Sequence, residues 1–268
     1  MYAAGFESAA ICHNVPVTSP APVPGAPLLA ASTRSILTVV GAALLSLAAV
    51  TDSWVAALVV VVLAAAFAYG WPLLTGAPAA RGSSVVILLA AVAAAAVAAA
   101  LGTSDRMAEV VAFGVIAAFV REMARTDGRE RMVESVSGTV TGVVVVVSGA
   151  GWVLADAVPG GTEAVLVSCA GLIVAAALTI LPVPGAVGAA LAAVGGGAVG
   201  TALGVVLPAV GLAPGMLIGL VGGALVAFSH VLFNAFPAAC RPGAATAAAL
   251  LPLLAFGVPV HLVAALTS

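Results

Sequence analysis

Charge is what this sequence has least of. Only 7% of its 268 residues are Asp, Glu, Lys or Arg, while 63% are hydrophobic. A soluble domain carries roughly 25% charged residues, so a water-facing surface of ordinary size is excluded. Lysine is absent altogether, and all eight basic residues are arginine. The net charge of −2, with no basic patch interleaved with aromatics, excludes a nucleic-acid partner. Aromatic residues make up 5%. The three cysteines, Cys12, Cys169 and Cys240, have neither C-x-x-C nor ligand spacing, which argues against a disulfide framework or a metal site. No acidic residue follows Glu163, so the last part of the chain offers no carboxylate cluster to a divalent ion. Walker, G-x-S-x-G and H-E-x-x-H patterns are also missing. No catalytic residue, metal site or cofactor is expected.

What is present is a series of apolar runs built from Ala, Val, Leu and Gly. A membrane helix needs about 20 such residues. The runs predict nine: Ile36–Thr51, Ser53–Trp71, Ser84–Leu101, Met107–Met123, Val136–Leu154, Ala164–Leu181, Ala186–Val210, Gly215–Phe236 and Ala244–Leu266. Residues 1–33 contain Pro16, Pro20, Pro22, Pro24 and Pro27 and few periodic apolar positions. They read as a disordered cytoplasmic tail rather than a signal peptide, which would begin with basic residues. The expected fold is therefore an all-α polytopic bundle over residues 34–268.

Orientation follows from the arginines, because positive loops stay cytoplasmic. With nine helices, Arg34, Arg81, Arg121, Arg125, Arg129, Arg131 and Arg241 fall on one side and Arg106 on the other. The second side also holds Asp52, Asp105, Asp156 and Glu163. The N-terminus is expected in the cytoplasm and the C-terminus outside. The expected location is a cell membrane, bacterial inner membrane in kind. The expected partners are membrane lipid and a second membrane protein or another copy of the chain.

Glycines mark packing faces. Gly188, Ala192, Gly196, Gly200 and Gly204 recur every four residues, as do Gly215, Gly219 and Gly223. That spacing aligns them on one face of a helix, where backbones approach closely in lipid. The short turn between the two runs predicts an antiparallel pair packed on these ridges. A pore or groove lined by backbone is the functional alternative. Gly138 and Gly142, flanked by Ser137 and Thr141, form a third small face. Those hydroxyls are expected to bond the carbonyl one turn back or a neighbouring helix.

Ionisable residues within spans are functional candidates by default. Glu109 lies one turn inside the fourth run, where a helix N-terminus favours a carboxylate. His230 and Asn234 sit one turn apart near the inner end of the eighth; they suit a head group, a proton path or a simple interhelical hydrogen bond. His261 reads as interfacial. The loop Arg121–Glu134 carries four arginines and four acids. It reads as a solvated, topology-setting loop in which Asp127 and Arg131 can pair, or as a phosphate-contacting loop with Arg129 and Arg131 as forks.

The order of segments resembles the CDP-diacylglycerol synthase (phosphatidate cytidylyltransferase) family. Arg34–Trp71 resembles its opening hairpin, and Arg121–Leu154 the loop and helix before its catalytic half. Arg241-Pro242-Gly243 with Ala244–Val263 falls where the family carries P-x-H-G-G-x-x-D-R-x-D and its last helix. The resemblance implies a lipid-handling scaffold. It does not imply the family's reaction, because only Pro242 and Gly243 remain of the signature. The S-P-K-K-x-x-E segment and the acidic metal ligands have no counterpart, and His230 stands near a family acid. The expectation is a non-catalytic membrane protein with a lipid- or envelope-related role. The alternatives are a small-solute permease using the glycine-lined helices with His230 and Asn234, and an enzyme acting on a lipid head group.

Overall fold

The computed structural model describes residues 26–126 and 131–268, and every regular element among them is helical. The helices are α1 (Ala26–Ala49), α2 (Ser53–Thr75), α3 (Ala80–Leu101), α4 (Met107–Met123), α5 (Met132–Gly149), α6 (Gly151–Asp156), α7 (Gly161–Leu178), α8 (Gly185–Val206), α9 (Leu212–Asn234), α10 (Pro242–Ala255) and α11 (Gly257–Thr267). A 3-10 turn, Pro237–Cys240, precedes α10. In lipid each backbone polar group must be satisfied within the protein, which helices do unaided.

The chain is a multi-pass membrane protein. Eight segments are long and apolar enough to cross a bilayer, two of them formed by α5 with α6 and by α10 with α11. The fourth predicted span, α4, is not among them and has 17 residues, about 25 Å at 1.5 Å per residue. It is short for a hydrocarbon core of about 30 Å. It packs on α3 and α5, with its last turn beside the start of each. Arg121 in its last turn donates to the Ala79 carbonyl before α3 (2.9 Å) and to Ser83 in α3 (3.1 Å).

Several boundaries differ from the sequence reading. α1 begins at Ala26 rather than Ile36, so residues 26–33 belong to a helix and Arg34 lies inside it. The rest of the predicted tail lies outside the described residues. α2 continues through Pro72 and stops at Gly76, which takes a left-handed φ of 65° and caps the Pro72 carbonyl. Proline removes one donor, a loss that membrane helices tolerate when neighbours compensate; glycine meets the left-handed turn without a Cβ clash. α5 starts at Met132, four positions before the expected Val136, which places Glu134 and Ser135 on a helix. Glu122 sits in the last turn of α4, within the predicted fourth run, although the sequence reading also groups it with the charged loop that follows.

The fifth and ninth spans are each broken, at Ala150 and at Phe256. The breaks meet: a Cβ on Gly151 would overlap the Gly257 backbone, and one on Gly257 would overlap the Ser148 carbonyl. Ser148 Oγ donates to the Ala255 carbonyl (2.9 Å) and accepts from the Val258 amide (3.3 Å). Trp152 Nε1 donates to the Leu253 carbonyl (2.9 Å). Side chains of the fifth span thus hold backbone groups on both sides of the ninth span's break.

Candidate functional site

The polar interior of the bundle is concentrated at its arginine-rich end. Arg34, Ser35 and Thr38 occupy one face of α1, since residues three and four apart lie together on a helix. They face Thr179 just past α7, Ser229 and His230 in α9, and the middle of α10. The hydroxyls of Ser35 and Thr179 are 2.9 Å apart. Thr38 donates to the Ala249 carbonyl at 2.8 Å. Arg34, 6% exposed, donates through a terminal guanidinium nitrogen to Asn234 Oδ1. Ser229 is 3% exposed and its hydroxyl has no hydrogen-bond partner among the described residues.

Two cavities adjoin this cluster. A small chamber of about 20 Å³ lies among Arg34, Ser35, Thr38, Thr179, Ser229 and His230. A larger cavity of about 530 Å³ lies beside it and shares Thr179 and His230 as walls. Its apolar wall is the segment between α7 and α8, with Ile180, Leu181 and Val183, together with Ala189 and Ala227. Its polar wall is Ser32, Thr179, His230 and Asn234. Its size falls within the roughly 300–1,000 Å³ of small-ligand sites. Among the described residues no carboxylate lines either cavity.

A second polar cluster joins α3, α4 and α5. Glu122, fully buried, pairs with Arg125 and, at 3.3 Å, with Arg121. Ser135 donates to its carboxylate at 2.9 Å. Arg121 extends to Ser83, which accepts from Thr139 at 2.9 Å. One buried carboxylate here serves two guanidiniums, and removing it from such a set leaves cations without a counter-charge in a low dielectric. The cluster ties three helix ends together rather than presenting a surface to a ligand.

The residues singled out from sequence fall in separate places. His230 and Asn234 both line the larger cavity, but Asn234 bonds Arg34 rather than its helical neighbour. Glu109 is exposed at the opposite end and pairs with Arg106 at 2.8 Å. Arg131 takes a left-handed φ of 54° at the start of α5, pairs with Glu134 and donates to the Gly76 carbonyl at 3.2 Å. Arg129 and Asp127 lie outside the described residues. Nδ1 of His261 is buried without a partner among the described residues.

The glycines of α8 and α9 lie backbone to backbone. A Cβ on Gly196 would come within 2.6 Å of the Gly219 carbonyl, and one on Gly223 within 2.6 Å of the Ala192 carbonyl. At Gly200, Gly204 and Gly215 the added atom would overlap a carbonyl of the facing helix outright. Gly142 packs on Ile87 and Trp71, and the Gly138 carbonyl accepts from Trp71 Nε1 at 2.8 Å. Ser137 and Thr141 bond carbonyls one turn back.

Sequence reading missed Ser35, Thr38, Thr179 and Ser229, and treated Arg34 as a topological marker only. The available signal was the Arg34-Ser35-x-x-Thr38 face on the first span, polar within an apolar run. Among the described residues no group of three His, Cys, Asp or Glu side chains stands together as a metal site would need. Comparison of the chain with protein-family models, curated proteins and solved structures finds no match.

Proposed function

We propose that this membrane protein holds an amphiphile, a lipid or lipid fragment, in the cavity at its arginine-rich end. The observation that carries the reading is the mixed lining of that cavity. Aliphatic side chains of Ile180, Leu181, Val183 and Ala189 line it together with the polar groups of Thr179, His230 and Asn234. A site lined mainly by apolar groups with a few placed polar ones binds an amphiphile in one orientation. The layout resemblance to a lipid-handling synthase family supports the same reading.

Native mass spectrometry of the detergent-extracted protein tests it. The wild-type protein is expected to carry one co-purifying amphiphile. Ala189→Phe, which fills the cavity, is expected to lose it while keeping the melting temperature. Retention of the same adduct by the filled variant argues against this cavity as the site.

A permease is the second reading, favoured by the two broken spans, because transporter sites are built at interrupted helices. Here, however, Ser148 and Trp152 occupy the ninth span's break with hydrogen bonds. Neither Ala150 nor Phe256 lines either cavity. The amphiphile reading therefore stands first, and uptake of labelled solutes into proteoliposomes distinguishes the two.

A further inference from the structure

We infer that the ligand of the larger cavity is anionic and seats one oxygen of a carboxylate head in the chamber beside Ser229. The inference rests on the amphiphile reading and adds the charge and place of the head group. A buried hydroxyl without a partner is costly, about 1–3 kcal/mol, so most buried polar groups are paired. Ser229 is one of the few exceptions. It lines a chamber of about 20 Å³, a volume that admits one water-sized group.

The sign of the charge follows from the surrounding groups. The chamber walls carry a guanidinium from Arg34, an imidazole from His230 and the hydroxyls of Ser35, Thr38, Thr179 and Ser229. Among the described residues the walls of both cavities contain no carboxylate. An ammonium head finds a cation there and no anionic counterpart. A carboxylate oxygen accepts from the Ser229 hydroxyl and lies in the field of Arg34, and hydrogen bonds to charged groups are the stronger kind. The chamber holds a single oxygen, and a carboxylate is the smallest anionic head that supplies one. The tail attached to that head then extends past Thr179 and His230, the walls common to both spaces, into the cavity bounded by Leu181 and Ala189.

The test uses the full chain in a maltoside detergent and three ligands with one tail: decanoate, decanol and decyltrimethylammonium. Acetate serves as the head alone. Affinity is read by native mass spectrometry and by the shift in melting temperature. Decanoate is expected to bind at least tenfold more tightly than the other two tailed ligands. Ser229→Ala is expected to reduce decanoate affinity about tenfold, the scale of one hydrogen bond to a charged group. The same variant leaves decanol binding unchanged and does not lower the ligand-free melting temperature, because it removes an unpaired hydroxyl.

Equal binding of decanoate and decanol overturns the anionic head and leaves the amphiphile reading intact. Tight acetate binding without a contribution from the tail upholds the anionic chamber and overturns the amphiphile reading. Binding of none of the four overturns both. A lowered melting temperature of ligand-free Ser229→Ala assigns the hydroxyl to structure and overturns the inference.

Discussion

The guanidinium of Arg34, in the first span, donates to Oδ1 of Asn234 at the last residue of α9, 200 positions further along the chain. The contact fastens the first helix to the eighth span across the polar cluster. Arg34 is buried while Asn234 is exposed, so the bond lies at the upper end of the range for a surface pair rather than that of a core pair. Asn234→Leu is expected to lower stability by about 1 kcal/mol, less than the 1.5–3 kcal/mol of a fully buried bond to a charge. Thermal unfolding in detergent measures it. No change would mean that the Arg34 position does not depend on this bond.

The α8–α9 contact responds to any side chain placed in it. At Gly200 a Cβ already overlaps the Gly215 carbonyl, and at Gly219 it overlaps that of Gly196. The obstacle is backbone and cannot swing aside. Gly200→Leu and Gly219→Leu are each expected to cost about 3 kcal/mol, the upper end for overpacking. Ala96→Leu on the exposed face of α3 is the control and is expected to be nearly neutral. Equal melting temperatures for all three variants contradict the close approach.

Glu122 is expected to be the most sensitive carboxylate in the protein. It is fully buried against Arg121, Arg125 and Ser135. Glu122→Leu leaves arginines without their counter-charge and is expected to destabilise by about 3–5 kcal/mol. Glu109→Leu, at an exposed pair, is expected to change little. Similar effects at the two positions, read from thermal unfolding, reject the buried cluster.

Accessibility of single cysteines reports whether α4 crosses the membrane. Thr126 and Ser104 flank it and are both exposed. In a background without native cysteines, Thr126→Cys is expected to label from the cytoplasm and Ser104→Cys from outside. Labelling of both from one side reduces the protein to eight crossings with its termini on the same face.

The helices were legible because a bilayer allows little else. Runs of Ala, Val and Leu of nearly the right length have no alternative structure in lipid, and the bounds predicted for α4 match those observed. Breaks within spans were not legible, because Ala150 and Phe256 look no different from their neighbours and Pro252 and Pro259 are common enough in membrane helices. The His230 and Asn234 positions were legible as rare polar groups. Their partners were not: hydroxyl residues such as Thr179 and Ser229 also satisfy themselves on their own helix, so a sequence does not distinguish one that points inward. Glu122 was hidden for a different reason. Its charged neighbours along the chain look like a solvated loop, whereas the last turn of α4 faces it inward.

The joint between the two interrupted spans gives the bend in the ninth an external author. The groups that stitch it, Ser148 and Trp152, belong to a segment over a hundred residues upstream. The shape of the C-terminal span is thus specified by another helix and is acquired when the two dock. Trimming Ser148 to alanine should register as a change in α10 and α11, read by spin labels on either side of Phe256, and not in the helix that carries the substitution.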